Sequence, residues 1–421
     1  MQLLFSSDLH GNLKHYAQLI EEANNHGSDA LLLGGDICPR RKGLVVQKMR
    51  ETTGRSKAHE PPEESKEFSD MMKNDSVRLQ QEWFEASLVP LLQTCRCPVY
   101  MIMGNSDFRA NLGSFKRTLE ALPPIQRHGR EHQHITMMDG LEVTPLRLGP
   151  DPEVVYHLMG VSFIPPTPHS MKDWELMDTP EDCLYYQHVL APRPPGYNPP
   201  PPRIYRNSRI AVDGCRSDST DNCGSSVLSI CSLSLDAKDS LEGLLHQTLS
   251  REPPLGISNI DPARLIVMAH TPPFATGLDL MASHAHVGSL GLLRFLRTVQ
   301  PLVSLHGHIH ETVRMSKTHI DRLQGEYPVE KGVVGVDASR RFVDSPDRTR
   351  WEAPEPESSQ PNPANRSGTI AVASGNDFKK ERAWCILVDV GPDGAAKVKR
   401  YQSASPTVLC DIGNLRISDH R

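Results

Sequence analysis

Residues 2–36, QLLFSSDLHGNLKHYAQLIEEANNHGSDALLLGGD, decide the fold class. The run Gln2–Ser6 is apolar and ends in small polar residues, the pattern of a buried strand that delivers its last side chains to a sheet edge. From Asn12 to about Asn25 the apolar residues Leu13, Tyr16, Ala17, Leu19, Ile20 and Ala23 recur at helical spacing, with Asn12 placed to cap the start and Gly27 the end. A second apolar run, Ala30 to Leu33, stops at Gly34-Gly35-Asp36. Strand, helix and strand in this order predict a parallel α/β unit whose polar residues Asp8, His10 and Asp36 line one edge of the sheet.

The same grammar repeats downstream. Residues 77–94 read as helix, and Pro98 to Met103 as a third strand that runs into Gly104-Asn105-Ser106-Asp107. Alternating stretches near 133–147 and 154–164 predict antiparallel strands, which would make the sheets mixed. A helix near 237–249 precedes a strand from Arg264 to Met268 that ends at Ala269-His270. Gly288 to Val299 reads as helix and Leu302 to Leu305 as strand, followed at once by Gly307-His308-Ile309-His310. Strands are expected to close the chain at 368–374, 384–390 and 396–402. The whole of 1–421 reads as one domain carrying irregular insertions at about 39–76, 165–235 and 321–366, where charge and proline replace large apolar residues. The second insertion holds PRPPGYNPPPP, read as a surface excursion, with a proline-recognising protein partner as the alternative.

Composition excludes several classes. A hydrophobic content of 38% with 35 prolines describes a water-soluble chain with much irregular length. No apolar run is long enough to cross a bilayer, and MQLLFSSDLHG lacks the basic and apolar segments of a signal peptide, so no membrane association and a cytoplasmic location are expected. The net charge of -5 with mixed signs gives no dedicated nucleic-acid surface. Nine cysteines without C-x-x-C spacing suit free thiols in a reducing compartment.

The polar strand ends are what carries chemistry. Asp8 with His10, and His308 with His310, stand two residues apart, so in extended backbone each pair can meet one site. Imidazole and carboxylate ligate manganese, iron, zinc, nickel or cobalt, and a pair of such ions needs a shared ligand; Asp36, preceded by two glycines, is the candidate bridge, and Asn105 offers a neutral oxygen. Two cations together acidify a shared water, the nucleophile, while drawing charge from phosphoryl oxygens. A lone Asp-x-His or a lone histidine is commonplace; five such clusters, each just beyond an apolar strand, are not.

In order, the clusters are SDLHG, GGDI, GNSD, AHTPP and GHIH, and this series resembles the calcineurin-like metallophosphoesterases. AHTPPFATGLD, HVGS and GHIHE are similar to the wording of the compact microbial branch. The resemblance implies an α/β fold of two mixed β-sheets packed as a sandwich and flanked by helices, four layers in all. It places Asp8, His10 and His310 with a first metal, Asn105, His270 and His308 with a second, and Asp36 with both; catalytic roles fall to Asp36, Asn105, Asp107 and His270. It also implies a small phosphate ester as substrate, nucleotide-like among the options. Ser106 stands where many relatives carry a histidine acid, and serine does not supply a proton near neutral pH, which biases the expectation toward better leaving groups. Some phosphodiesterases of the family likewise carry a small residue there, so the resemblance implies diester or activated-ester hydrolysis rather than protein dephosphorylation. Asp107 is then expected either to orient a ligand imidazole or to cap the following helix, and His284 or His286 to replace the acid or simply face solvent. His306 is expected to turn away from the metals. Ala373-Ser374-Gly375-Asn376 departs from the family's usual Asn-Pro-Gly, which leaves that loop's geometry open. The competing reading is a non-catalytic interaction scaffold that retains the fold.

Overall fold

The computed structural model describes residues 1–53, 66–149, 151, 153–167, 173–190, 233–323, 369–376, 380–391 and 396–403. The opening unit forms as its sequence dictates. Strand β1 (Gln2–Ser6) leads to a helix at Leu13–His26, where the Asn12 side chain accepts a hydrogen bond from the His15 amide and Gly27, at φ 64°, takes the left-handed turn that ends it. Strand β2 (Ala30–Gly34) follows and pairs parallel to β1, and β3 (Val99–Ile102) extends the parallel set.

A small hairpin, β4 (Ile125–Arg127) and β5 (Arg130–His132), stands apart, and β6 (Ile135–Met137) adds a further parallel strand beside β3. The antiparallel pair β7 (Leu141–Leu146) and β8 (Tyr156–Val161) opens the second sheet, joined by the parallel strands β9 (Leu265–Ala269) and β10 (Val303–His306). After β11 (Ile320–Leu323) come β12 (Thr369–Ala373), β13 (Trp384–Val390) and β14 (Ala396–Gln402). The result is two 6-stranded sheets, ordered β14-β13-β1-β2-β3-β6 and β11-β12-β10-β9-β8-β7. Both are mixed, because antiparallel strands sit at one or both ends of a parallel centre.

Alternate residues of each central strand explain the layering. Leu3, Phe5, Leu32 and Ile102 of the first sheet pack with Leu158, Met268, Leu305 and Val372 of the second in one buried cluster between the sheets. The other faces, through Leu4, Leu31, Met101, Val267 and Ala269, share a second cluster with helix residues such as Tyr16, Leu19, Leu245 and Leu296. Strands buried on both faces read as continuous apolar runs, and these do. The mixed α/β sandwich expected from the sequence is the observed fold.

Two stretches read as irregular contain helices. Within 39–76 the chain is helical at Arg41–Thr53 and Lys66–Asn74, and Leu44, Val45, Met49 and Phe68 bury themselves with Leu79 in a small satellite core. These apolar residues are too sparse to outweigh the surrounding charge in a sequence reading; their partner helix at Ser76–Trp83 is what supplies the missing burial. Within 165–235, Pro180–Leu190 is helical. The PRPPGYNPPPP stretch lies outside the described residues, as does most of 321–366. Among the described residues no helix is long and apolar enough to cross a membrane.

Candidate metal centre

The site forms where the carboxyl ends of both sheets' parallel strands meet. Register brings Ser6 beside Leu33 and Gly34 beside Ile102 in one sheet, and Ala269 beside His306 in the other, so the loops after β1, β2, β3, β9 and β10 leave from a common edge. The loop after β1 lies along the loop after β2: the amides of Asp8, His10 and Gly11 donate to the carbonyls of Gly35, Asp36 and Ile37 at 2.9–3.0 Å. Asp107 adds the loop after β3. Its buried carboxylate accepts from the amides of Ile37 (3.0 Å), Cys38 (2.8 Å) and Gly104 (2.8 Å). This is neither of the arrangements expected for Asp107: it staples two loops by their backbones.

Close approach demands glycine at two points. A Cβ on Gly35, at φ 93°, would lie 2.6 Å from the His270 ring, and one on Gly104 would fall on the backbone and carboxylate of Asp36. Asp8, His10, Asp36 and His308 themselves hold φ between 44° and 68°, a region that costs an ordinary residue about 1 kcal/mol or more. The surrounding hydrogen bonds hold them there.

The seven predicted residues come together in two groups with Asp36 between them. Ligand atoms of Asp8, His10, Asp36 and His310 all lie within 4.8 Å of one another. In that group the His10 Nε2 stands 3.1 Å from the His310 Nε2 and 3.3 Å from the Asp36 Oδ2. In the other, the His270 Nε2 is 3.1 Å from the Asn105 Oδ1 and 3.4 Å from the Asp36 Oδ1, and the His308 Nδ1 is 2.9 Å from the same Asn105 oxygen. One Asp36 oxygen thus faces each group.

The hydrogen atoms show what the groups suit. His270 places its Nδ1 on the Gly34 carbonyl at 2.9 Å and His310 places its Nδ1 on the Asn376 carbonyl at 2.7 Å. A carbonyl only accepts, so both Nδ1 atoms carry the proton, and in the neutral rings both Nε2 atoms present lone pairs. The His270 lone pair faces two acceptors, the Asn105 oxygen and the Asp36 carboxylate, while that of His310 faces the His10 ring with the Arg40 guanidinium above it. Converging lone pairs of this kind fit a bound cation.

Charge follows the same geometry. Burial alone would raise the Asp36 carboxyl, but His270, His10 and the amide of Ser106 at 2.7 Å hold it well below the usual carboxylate range. Burial, reinforced by the Asp36 charge, pushes Asp107 up to about 7. Burial lowers His10 despite Asp36 beside it. His306 is fully buried, turned onto the Thr271 carbonyl at 3.0 Å, and lowered by burial to about 4.

Three features escaped the sequence reading. Arg40 reaches over the first group, its Nη2 3.3 Å from the His10 Nε2 and 3.4 Å from the His310 Nε2. Its signal was its place four residues after Asp36 in GGDICPR. Ser106 donates from its amide and, at 3.1 Å, from its hydroxyl to the two oxygens of Asp36, so the residue in the place of an acid steadies a carboxylate. The Ser374-Gly375-Asn376 turn, open in the sequence, abuts His310. His286, by contrast, is bound through its Nδ1 to the Asp279 carboxylate at 2.6 Å, which also gathers the amides of Ala275, Thr276 and Gly288 and so organises the loop after His270.

Residues 1–184 match the model of the calcineurin-like phosphoesterase family. This bears out the resemblance carried by the motifs; metal-dependent phosphoester hydrolysis is the chemistry of that family. A comparison with curated proteins finds no match. Among solved structures, TT1561 of Thermus thermophilus is similar at 12% identity and TM-score 0.40, over 96% of this chain and 99% of that one. GAP50, the anchor in the inner membrane complex of Plasmodium, is similar at 10% identity and TM-score 0.34, over 97% and 87%. Likenesses this distant carry no argument about activity.

Proposed function

With the calcineurin-like phosphoesterase family as premise, we propose that this protein is a two-metal phosphodiesterase acting on small phosphate esters. The observation that carries the reading is the placement of Asp36, whose two oxygens face two separate groups of ligands. Asp8, His10 and His310 would hold one ion, Asn105, His270 and His308 the other, with manganese, iron, zinc, nickel and cobalt all compatible with these donors. When bound, two such ions acidify water and withdraw charge from the phosphoryl group.

The chain's own residues supply the rest. Arg40, already beside His10 and His310, is placed to take a phosphoryl oxygen once those rings turn their lone pairs to a cation. Asn105 would bind its ion through a neutral oxygen, which would leave the site less negative and better suited to an anionic ester. The Ser106 hydroxyl is committed to the Asp36 Oδ2 and offers no proton to a departing alkoxide. Esters whose leaving group departs without protonation are favoured, which supports activated esters, and the resemblance to family phosphodiesterases with a small residue at this place supports diesters. Nucleotide-like substrates fall within that class. The whole chain serves as a single domain, its excursions near 39–76, 165–235 and 321–366 free to tune specificity or meet a protein partner. The free, buried thiols of Cys38, Cys95, Cys97, Cys183 and Cys385 support a cytoplasmic setting.

The scaffold reading is not favoured, because a scaffold is free to lose ligands and here each ligand position is filled. The test uses the full chain loaded with Mn2+, its metal content measured, and the hydrolysis of bis(p-nitrophenyl) phosphate compared with that of p-nitrophenyl phosphate. Two bound ions with faster diester cleavage is the expected result. Bound metal with neither substrate cleaved overturns the enzyme reading, and faster monoester cleavage overturns the diester preference alone.

A further inference from the structure

The seven ligands do not account for one heavily bonded polar side chain near them. Asn376 is fully buried. Its carboxamide nitrogen donates to the Ser6 hydroxyl (2.6 Å), the Ser7 carbonyl (2.9 Å) and the Trp384 carbonyl (3.2 Å), and its oxygen accepts from the Trp384 amide at 2.6 Å. These partners lie at the end of β1 and the start of β13, adjacent strands of the first sheet. The backbone carbonyl of the same residue takes the proton of the His310 Nδ1, and His310 stands beyond β10 of the second sheet. One residue therefore ties an imidazole of one sheet to the edge of the other.

Its neighbour works on the same half of the centre. Ser7 spends its hydroxyl proton on the Asp8 Oδ2 at 2.6 Å, so in the 2.7 Å contact between the Ser7 and Ser374 hydroxyls Ser374 is the donor. A two-step relay of hydroxyls runs from the turn to the Asp8 carboxylate. The turn itself is fixed. The Arg400 Nε donates to the Ser374 carbonyl at 2.8 Å while its guanidinium stacks 3.6 Å over the Trp384 ring, and Gly375, at φ 59°, has no room for a Cβ beside the Val313 side chain. Of the ligands, the turn bonds His310 directly and reaches Asp8 through Ser7, both of the first group; the second group meets it only at one remove, where the Asp8 carboxylate accepts from the His308 amide at 2.9 and 3.0 Å. His270, in the second, is oriented instead by the Gly34 carbonyl.

We propose that Asn376, with Ser374 beside it, is a positioning residue that acts chiefly on the first metal, fixing the tautomer and direction of His310 and the direction of Asp8. The proposal rests on the two-ion reading and makes a prediction that reading does not: the two ions respond unequally to a change outside both ligand sets. Partners of ligating imidazoles typically govern metal affinity by roughly 10- to 100-fold.

The experiment measures Mn2+ affinity and stoichiometry by calorimetry, and spin coupling of the ion pair by EPR, on the full chain and on Asn376→Ala and Ser374→Ala. Melting of the metal-free proteins is followed in parallel. Asn376→Ala is expected to keep one ion at its original affinity, to bind the other roughly 10- to 100-fold more weakly, and to lose the coupled signal at limiting metal. Ser374→Ala, which removes only one hydroxyl, is expected to weaken the same ion by a smaller factor, and it serves as the decisive variant if Asn376→Ala does not fold. Unchanged affinity for both ions, or equal weakening of both, overturns the proposal. A wild-type chain that binds a single ion overturns the two-ion reading instead; the positioning role then stands if Asn376→Ala weakens that ion and falls if it does not.

Discussion

The two sheets bring different chemistry to their shared edge. The loops of the first, after β1, β2 and β3, contribute every oxygen donor, Asp8, Asp36 and Asn105, and one imidazole, His10. Those of the second, after β9 and β10, contribute imidazoles only, His270, His308 and His310. Neither sheet contains a complete ligand group. The first group needs His310 from across the seam and the second needs Asn105, so a bound ion on either side would fasten sheet to sheet, and the packing between the sheets becomes a precondition of binding.

The severest way to break this arrangement is Asp36→Asn, which weakens the donor that faces both groups while preserving its shape. Metal content is expected to fall and diester hydrolysis to drop by about two orders of magnitude or more; retention of both ions with near-normal turnover would show that the two groups do not depend on a shared carboxylate. Next comes the seam itself. Leu305→Ala, at a leucine buried between the sheets that itself ligates nothing, should cost about 2–5 kcal/mol of stability by urea unfolding. Because an ion held by either group would span both sheets, added Mn2+ should recover part of that loss in the same titration. No metal-dependent recovery would mean that the sheets dock independently of the centre.

A smaller effect sharpens the contrast within the first group. Arg40→Ala is expected to raise KM for the diester about 10-fold with little change in metal affinity, since the guanidinium meets the ligands only from outside. A variant that loses metal instead would make Arg40 part of the cage. The smallest effect lies in the helical layer over the second sheet. Burial, with the Asp182 charge nearby, pushes the Asp178 carboxyl up to about 7, although it accepts from the Ser289 hydroxyl and the Leu290 amide. A carboxyl raised on folding holds its proton longer in the native state, so its contribution to stability is full below about pH 4 and is lost as pH rises through about 7. Asp178→Asn should flatten that part of the stability profile between pH 4 and 7, as read from urea midpoints, and an unchanged slope would assign it elsewhere.

The parallel strands and their polar ends were legible because a strand buried on both faces reads as an unbroken apolar run, and the residues that follow it are then conspicuous. That is how the sequence alone puts Asp8, Asp36, Asn105, His270 and His308 on one edge. The helices at Arg41–Thr53 and Lys66–Asn74 were not legible, since Leu44, Val45, Met49 and Phe68 are buried against one another across the two helices and against Leu79 of a third. Asp107 was misjudged for a related reason: its partners are backbone amides of Ile37, Cys38 and Gly104, which leave no trace in residue type. Asn376 escaped likewise, since its bonds reach Ser6 and Trp384, far away in sequence.

The left-handed backbone at Asp8, His10, Asp36 and His308 restricts what can ever occupy those positions. Glycine, asparagine, aspartate and histidine tolerate such torsions, whereas valine, isoleucine and threonine resist them. A library randomised at these four sites would therefore be narrowed first by folding and only afterwards by coordination, and the residues that survive the first sieve already include the good ligands. Part of the centre's apparent chemical fastidiousness is steric in origin.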